Sequence, residues 1–309
     1  MDQKVDKAYE DIRRMRVRGA LDIALAAART LDVVVSSDAK NTDKLIAKLK
    51  EAGEKLKSAR PSAVSLPNSV DFILHAAEKN KHLAVGEFRK KMSACISSFV
   101  GDQENALVRI AEMGSRLIAH DHVIFTHCNS DTVTTILKKA WDDGKRFTVV
   151  CTETRPRYQG HLTAKALSEH GIPVTLIVDS AAHLLMKELK ADKVIVGADT
   201  VYANGDMVNK IGTSLMAICA KEMDIDFVVA TESIKFCPQS LLGSRVEIEY
   251  RDSSEIIEEN KLPGVKVLNP AFDVTAASHI SVFVTEFGVI PPAAVYHLLR
   301  EKFGWELEL

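Results

Sequence analysis

A chain of 309 residues with 46% apolar side chains has material for about two domains of roughly 150 residues each, and for a sizeable core. Its 40 basic and 42 acidic side chains leave a net charge of −2, which gives no general electrostatic footprint for nucleic acid or an anionic membrane. No apolar run approaches the ~20 residues of a membrane span, and the charged stretch Met1–Arg18 carries no signal-peptide pattern. The expectation is a soluble protein with neither nucleic-acid nor membrane partners.

In chain order, the first half reads as helices. Gly and Pro are scarce, and apolar positions recur every three or four residues over Gln3–Met15, Leu21–Val34, Thr42–Ser58 and Ser69–Glu78, then over a long stretch from about Leu83 to Ile118. Two prolines make Arg60–Asn68 a loop by the same reading. From His122 the texture changes to short β-rich runs: His122–Thr126, Phe147–Cys151, Val174–Val178, Lys193–Gly197 and Phe227–Thr231. Helical patterns separate the first four, which predicts a parallel sheet covered on both faces, a doubly wound α/β domain. Further strands are expected at Val246–Tyr250, Val265–Leu268 and Ile280–Val284, before a closing helix from about Pro292 to Phe303. The predicted domains are therefore a helical one over 1–120 and an α/β one over 121–309.

In a doubly wound sheet, ligands sit beyond the carboxyl ends of the strands, so the residues there are the candidates. Cys128 follows the first strand where a helix opens, a position whose backbone N–H groups favour thiolate. Asp199 ends a buried strand, where partial desolvation would raise its pKa. Arg155, Arg157 and Gln159 share a tight loop that suits an anionic, hydroxylated ligand. Asn209 and Lys210 precede a helix N-terminus, a natural phosphate site, and Lys235 stands near a further strand end. Taken singly, each has a plainer explanation: a buried structural cysteine, a capping carboxylate, a solvated turn, a surface lysine. Together they suggest proton transfer on a phosphorylated small molecule, with neither metal nor redox cofactor. GxGxxG, GxxxxGK[ST] and GxSxG motifs are absent, and the ten histidines are dispersed and read as surface or satisfied residues. The five cysteines are odd in number and form no CxxC, which argues against a disulfide framework and for a reducing cytoplasm.

The segments Cys128-Asn-Ser130, Glu153-Thr-Arg-Pro156, Gln159-Gly160, Gly197-Ala-Asp199, Asn204-Gly-Asp206 and Asn209-Lys-Ile-Gly-Thr213 resemble the superfamily of sugar-1-phosphate aldose–ketose isomerases. That superfamily includes methylthioribose-1-phosphate isomerase, archaeal ribose-1,5-bisphosphate isomerase and the α/β/δ regulatory subunits of translation initiation factor 2B. The resemblance runs from Arg18 to Gly288 and implies an N-terminal helical domain followed by a Rossmann-like, mainly parallel sheet domain. Cys128 with Asp199 favours an enzyme over the regulatory branch, and the compact length with Arg157 looks most like the archaeal bisphosphate isomerases. The implied reaction converts α-ribose 1,5-bisphosphate to ribulose 1,5-bisphosphate in nucleoside degradation, with AMP as activator and a homo-oligomer, dimer or hexamer, as the assembly. Methylthioribose 1-phosphate turnover and a non-catalytic regulatory role are the alternatives. Residue by residue, the resemblance implies substrate contacts at Arg18, Gly19, Ala20, Arg60, Ser130, Gln159, Asn209, Lys210 and Lys235, with Asp199 as acid and Cys128 as base. Asp131 departs from the pattern by putting an acid beside the expected phosphate site.

Overall fold

The structure is a computed structural model that describes residues 3–17, 19–60, 64–237, 240, 247–258 and 261–303. Two units are distinguished: Met1–Ala106 with Ile234–Phe236, and Leu107–Ser233 with Cys237–Leu309.

The first unit is helical: α1 (Gln3–Arg13), α2 (Ala20–Val35), α3 (Thr42–Ser58), α4 (Ser65–Lys79) and most of α5 (Val85–Ser115), a helix long enough that the division falls inside it. Helix α3 has the bounds its pattern predicts. Asn41 caps it by accepting the Lys44 N–H at 3.0 Å, and Leu45, Leu49, Ala52 and Leu56 form the apolar stripe it buries. Full burial of such leucines is worth about 1.5–3 kcal/mol each. Packed with them are Ile23, Leu31, Val70, Ile73 and Phe88, and the Ser69 hydroxyl ties α4 to α2 through the Ala24 carbonyl at 2.8 Å. The loop expected over Arg60–Asn68 ends early, because α4 already begins at Ser65. Pro67 sits in its first turn, where the missing N–H has no intrahelical partner to lose.

In the second unit, β1 (Val123–Thr126), α6 (Asp131–Asp142), β2 (Thr148–Thr152), α7 (Gln159–Ser168), β3 (Val174–Ile177), α8 (Ala182–Glu188) and β4 (Lys193–Val196) alternate as the run spacing predicts. Then come β5 (Thr200–Tyr202), β6 (Met207–Lys210), α9 (Thr213–Glu222), β7 (Asp226–Ala230), β8 (Phe236–Cys237, of which Phe236 is counted with the first unit), β9 (Phe272–Thr275), β10 (Val282–Thr285), β11 (Gly288–Ile290) and α10 (Val295–Phe303). Among the described residues the main sheet has the order β11-β10-β7-β4-β1-β2-β3, parallel except for β11. Ile124, Val149, Ile195, Val228 and Val284 from five of its strands pack with Ile136, Leu137 and Leu167 from helices on the sheet. Strand order reverses at β1, which pairs with β2 on one side and β4 on the other, so a crevice is expected where β1 and β4 end.

A second sheet, β8-β5-β6-β9, grows from the stretch after β4. The Asn204-Gly205 turn makes β5 and β6 an antiparallel hairpin, with Asp206 N–H bonded to the Asn204 side-chain oxygen. The two apolar runs expected as strands near the end are irregular instead. Val246 lies outside the described residues, 247–249 form no strand, and Tyr250 makes an isolated bridge to Pro270. Val265 and Leu268 stand exposed. No helix of the described residues is long and apolar enough to cross a membrane.

Candidate active site

The turns that follow β1, β2 and β4 bring the candidates of the second unit together. Immediately after β1, Cys128 adopts a left-handed backbone (φ 67°), as do Thr154 (φ 60°) and Tyr158 (φ 55°) in the turn after β2. For a β-branched threonine this is a strained conformation, and such strain persists where surrounding bonds over-determine it. Here the Asp179 carboxylate accepts the N–H groups of Thr154 and Arg155, both at 2.7 Å. The Thr154 hydroxyl in turn accepts the Cys128 N–H at 2.9 Å, and the Thr163 hydroxyl of α7 donates to the Cys128 carbonyl at 2.8 Å. The thiol-bearing turn is thus held from the β2–α7 unit beside it.

The sequence-based expectation of a thiolate is reversed. Cys128 lies two residues before the α6 N-cap, which is Ser130, and is 8% exposed. Burial pushes its pKa up to about 11. The Lys210 charge and the Asn129 N–H pull the other way, Asp199 and Asp179 push further up, and burial wins. Asp199 differs from Cys128 in depth: its strand is buried but the residue itself is exposed, its backbone N–H reaching Val208 O at 3.0 Å.

The loop after β6 also differs from expectation. The N-terminus of α9 already has an anion of its own: Asp273, from β9, accepts the N–H groups of Gly212 (2.7 Å) and Ser214 (3.1 and 3.2 Å) and the Ser214 hydroxyl (2.9 Å). That carboxylate occupies the place a phosphate would need. Asn209 is buried and uses its amide on the Thr213 hydroxyl at 3.1 Å, so it braces the turn, while Lys210 lies over the Phe272 ring at 4.5 Å and acts electrostatically on Cys128. Replacing Asp273 with alanine strips the α9 cap and is expected to cost about 2 kcal/mol, the upper end for a capping residue; urea unfolding of the two proteins measures it.

His127 is a residue the sequence reading passed over as one of many. It is buried, its Nδ1 is 2.6 Å from the Thr152 hydroxyl, and its Nε2 is 2.8 Å from the Ile211 carbonyl. Because that carbonyl can only accept, Nε2 carries the hydrogen and Nδ1 accepts from Thr152. Burial holds its pKa below the usual range, so it stays neutral and clamps the β6–α9 loop to β1 and β2. Gly212 lies against this ring with φ +103°, and a Cβ there would come within 2.9 Å of its Cε1. No sequence signal distinguishes His127, Asp179 or Asp273, since each acts across a long stretch of chain.

Of the other expected residues, Ser130 caps α6, and Asp131 is its exposed first residue, where a helix N-terminus favours an acid. Gln159 opens α7 and is half-buried. Arg157 pairs with Glu255, and Arg155 bonds the Tyr158 hydroxyl. In the helical unit, Gly19 caps α2, Ala20 is its first residue, Arg60 follows the end of α3 half-buried, and Lys235 stands half-buried in the turn Ser233–Lys235; Arg18 lies outside the described residues. Among the described residues no three His, Cys, Asp or Glu side chains gather as metal ligands.

The family model described as the initiation factor 2 subunit family matches residues 16–292. The chain belongs to this family. It is 42% identical over 313 residues to ribose 1,5-bisphosphate isomerase of Thermococcus kodakarensis, an alignment covering 99% of this chain and 97% of that one. It is also 38% identical to methylthioribose-1-phosphate isomerase of Acetivibrio thermocellus, over 91% of this chain and 86% of the relative. Among solved structures, a translation initiation factor eIF-2B of Pyrococcus horikoshii OT3 superposes with a TM-score of 0.76 at 30% identity, covering 94% and 98% of the two chains. The family thus spans the enzyme and translation-factor branches between which the sequence resemblance had to choose.

Proposed function

We propose that this chain isomerises α-ribose 1,5-bisphosphate to ribulose 1,5-bisphosphate. The observation that carries the reading is the position of Cys128 and Asp199 at the ends of β1 and β4, on either side of the strand-order reversal, with Lys210 acting on the thiol. The full-length likeness to a relative named for this reaction supports the bisphosphate over the methylthio sugar.

The substrate's anomeric oxygen carries phosphate, so its ring cannot open by itself. The protonated Cys128 thiol favours the reverse of the roles expected from sequence. Asp199, exposed, takes the proton from C2; the C2–H electrons form the C1–C2 double bond while the C1–O4 bond breaks, and O4 takes the proton of the Cys128 thiol. The enol phosphate then collapses: the thiolate recovers a proton from the C2 hydroxyl, and Asp199 returns its proton to C1. Both residues end as they began. Because the Asp199 carboxyl is exposed, deuterium placed on C2 is expected to reach water in part, and its complete retention at C1 would point to a hydride shift instead.

Substrate contacts at Arg18, Gly19, Ala20, Arg60, Ser130, Gln159, Asn209, Lys210 and Lys235 belong to this proposal, as do AMP activation, a homo-oligomer and a cytoplasmic setting that keeps the five cysteines free. Incubation with α-ribose 1,5-bisphosphate, with and without AMP and beside methylthioribose 1-phosphate, tests it. Formation of ribulose 1,5-bisphosphate is the expected result. Turnover of the methylthio sugar alone would reassign the substrate, and turnover of neither, with sugar phosphate still bound, would leave the regulatory role.

A further inference from the structure

Asp179 is the first residue of the short 3₁₀ turn Asp179–Ala181 that follows β3, a place where an acid ordinarily serves the N–H groups of its own segment. Its carboxylate reaches back 25 and 24 residues instead. One oxygen accepts the Thr154 N–H and the other the Arg155 N–H, both at 2.7 Å. Successive N–H groups around a left-handed residue converge into a concavity suited to an anion, and here the chain supplies that anion itself. The carboxylate thereby offsets the strain of a β-branched residue at φ 60°.

The consequence passes from Thr154 to the thiol. Thr154 is buried, and its branched Cβ makes χ1 stiff, so its hydroxyl goes where its backbone goes. That hydroxyl accepts the Cys128 N–H at 2.9 Å, and Cys128 is itself left-handed at φ 67°. Beyond the thiol, the Cys128 carbonyl accepts the Thr163 hydroxyl of α7, which Asp179 does not bond. The peptide before the thiol and the peptide after it therefore have separate holders, and the first depends on Asp179. Burial does most to keep the proton on the sulfur, and the Asp179 charge adds to it, as does that of Asp199, against Lys210.

We infer that Asp179 is a positioning residue for the thiol: by holding Thr154 left-handed it places the Cys128 turn, and so sets the rate of proton transfer rather than the affinity for substrate. This role rests on the isomerase reading above. Asp179 makes no bond to the Cys128 side chain and acts on its placement through Thr154.

A double-mutant cycle separates the relay from a merely structural role. Asp179→Ala and the near-isosteric Thr154→Val, which lacks the hydroxyl, are each expected to lower kcat about 10- to 100-fold, as for misplacement of a reacting group. KM for α-ribose 1,5-bisphosphate is expected to stay within about threefold, and the pair to be no worse than the more damaging single change. Thr154→Ser keeps the hydroxyl and is expected to hold kcat within about threefold. Asp179→Asn, which still accepts one of the two N–H groups, is expected to fall between and covers the case in which alanine does not fold. Multiplying effects in the double variant, an unchanged kcat in Asp179→Ala, a loss confined to KM, or a Thr154→Ser loss as large as that of Thr154→Val would overturn the inference. If the unaltered protein turns over neither sugar phosphate, the isomerase reading fails by itself. Amide exchange followed by NMR then decides on the relay. Exchange of the Cys128 amide about tenfold or more faster in Asp179→Ala, with the amides within β1 unchanged, supports it, and an unchanged rate refutes it.

Discussion

Cys128→Ser is expected to lower kcat by about 10²–10⁴, the range for removing a positioned proton-transfer group, while leaving the fold and ribulose 1,5-bisphosphate binding in place. The replacement is nearly isosteric, and the Cys128 turn is held by its backbone N–H and carbonyl, which serine retains. The pH profile of the unaltered protein then tells which way the proton moves. With a thiol pKa pushed up to about 11, the acid role needs the protonated form that already prevails at neutral pH. The limb of kcat/KM belonging to this residue is then a fall as pH climbs towards 11, flat through neutrality. Were the thiolate the base, activity would instead rise about tenfold per pH unit through the neutral range up to that same value, because each unit would increase the thiolate fraction tenfold. Measuring kcat/KM from pH 6 to 10, beside the Cys128→Ser protein, distinguishes the two slopes.

Gly160→Ala is the substitution with the largest expected cost in stability. A Cβ at this position would lie 1.8 Å from the Thr152 carbonyl oxygen and 2.9 Å from its carbon, and both are backbone atoms of β2 and the turn that follows. No rotamer relieves a backbone clash of this kind. Either the first turn of α7 moves away from β2, or the Thr152–Thr154 segment shifts, taking with it the hydroxyls that hold His127 and Cys128. A destabilisation of about 3 kcal/mol or more is expected, at the upper end for overpacking. Denaturant midpoints measure it, and folded protein that survives is expected to have lost turnover as well. A change below about 1 kcal/mol would mean that this turn is far more compliant than its bonds suggest.

These two sites differ in how far the sequence exposed them. The βα rhythm from His122 onwards located the ends of β1 and β4, and through them Cys128 and Asp199, because continuous apolar runs with helical spacers have few other solutions. Helix α3 was legible to the residue for the same reason: its cap and stripe are local. What sequence does not carry is depth. Cys128 and Asp199 both stand at strand ends, yet one is buried and the other exposed, a difference no local pattern carries. Nor could the N-terminus of α9 be known to be filled, because Asp273 reaches it from 59 residues beyond Ser214. The short β5–β6 hairpin escapes a pattern reading because its strands are three and four residues long. The apolar runs near Tyr250 and Leu268 failed in the opposite way, being rich in strand formers but open to solvent.

The late position of β9 and β10 in the chain has a consequence for biosynthesis. Cys128, Asp199 and the Asn209–Thr213 loop all leave the ribosome before the residues that complete their surroundings: β9 pairs with β6 and brings Asp273, and β10 pairs with β7 and is followed directly by Glu286. A nascent chain stalled before residue 272 would carry every chemical group of the site with its α9 cap, the β9 edge of its second sheet and Glu286, which anchors the Lys235 turn through Ser233, still missing. Pairings across such sequence distances are also the slow ones to form. The newborn protein is therefore expected to gain its reactivity in the closing step of maturation.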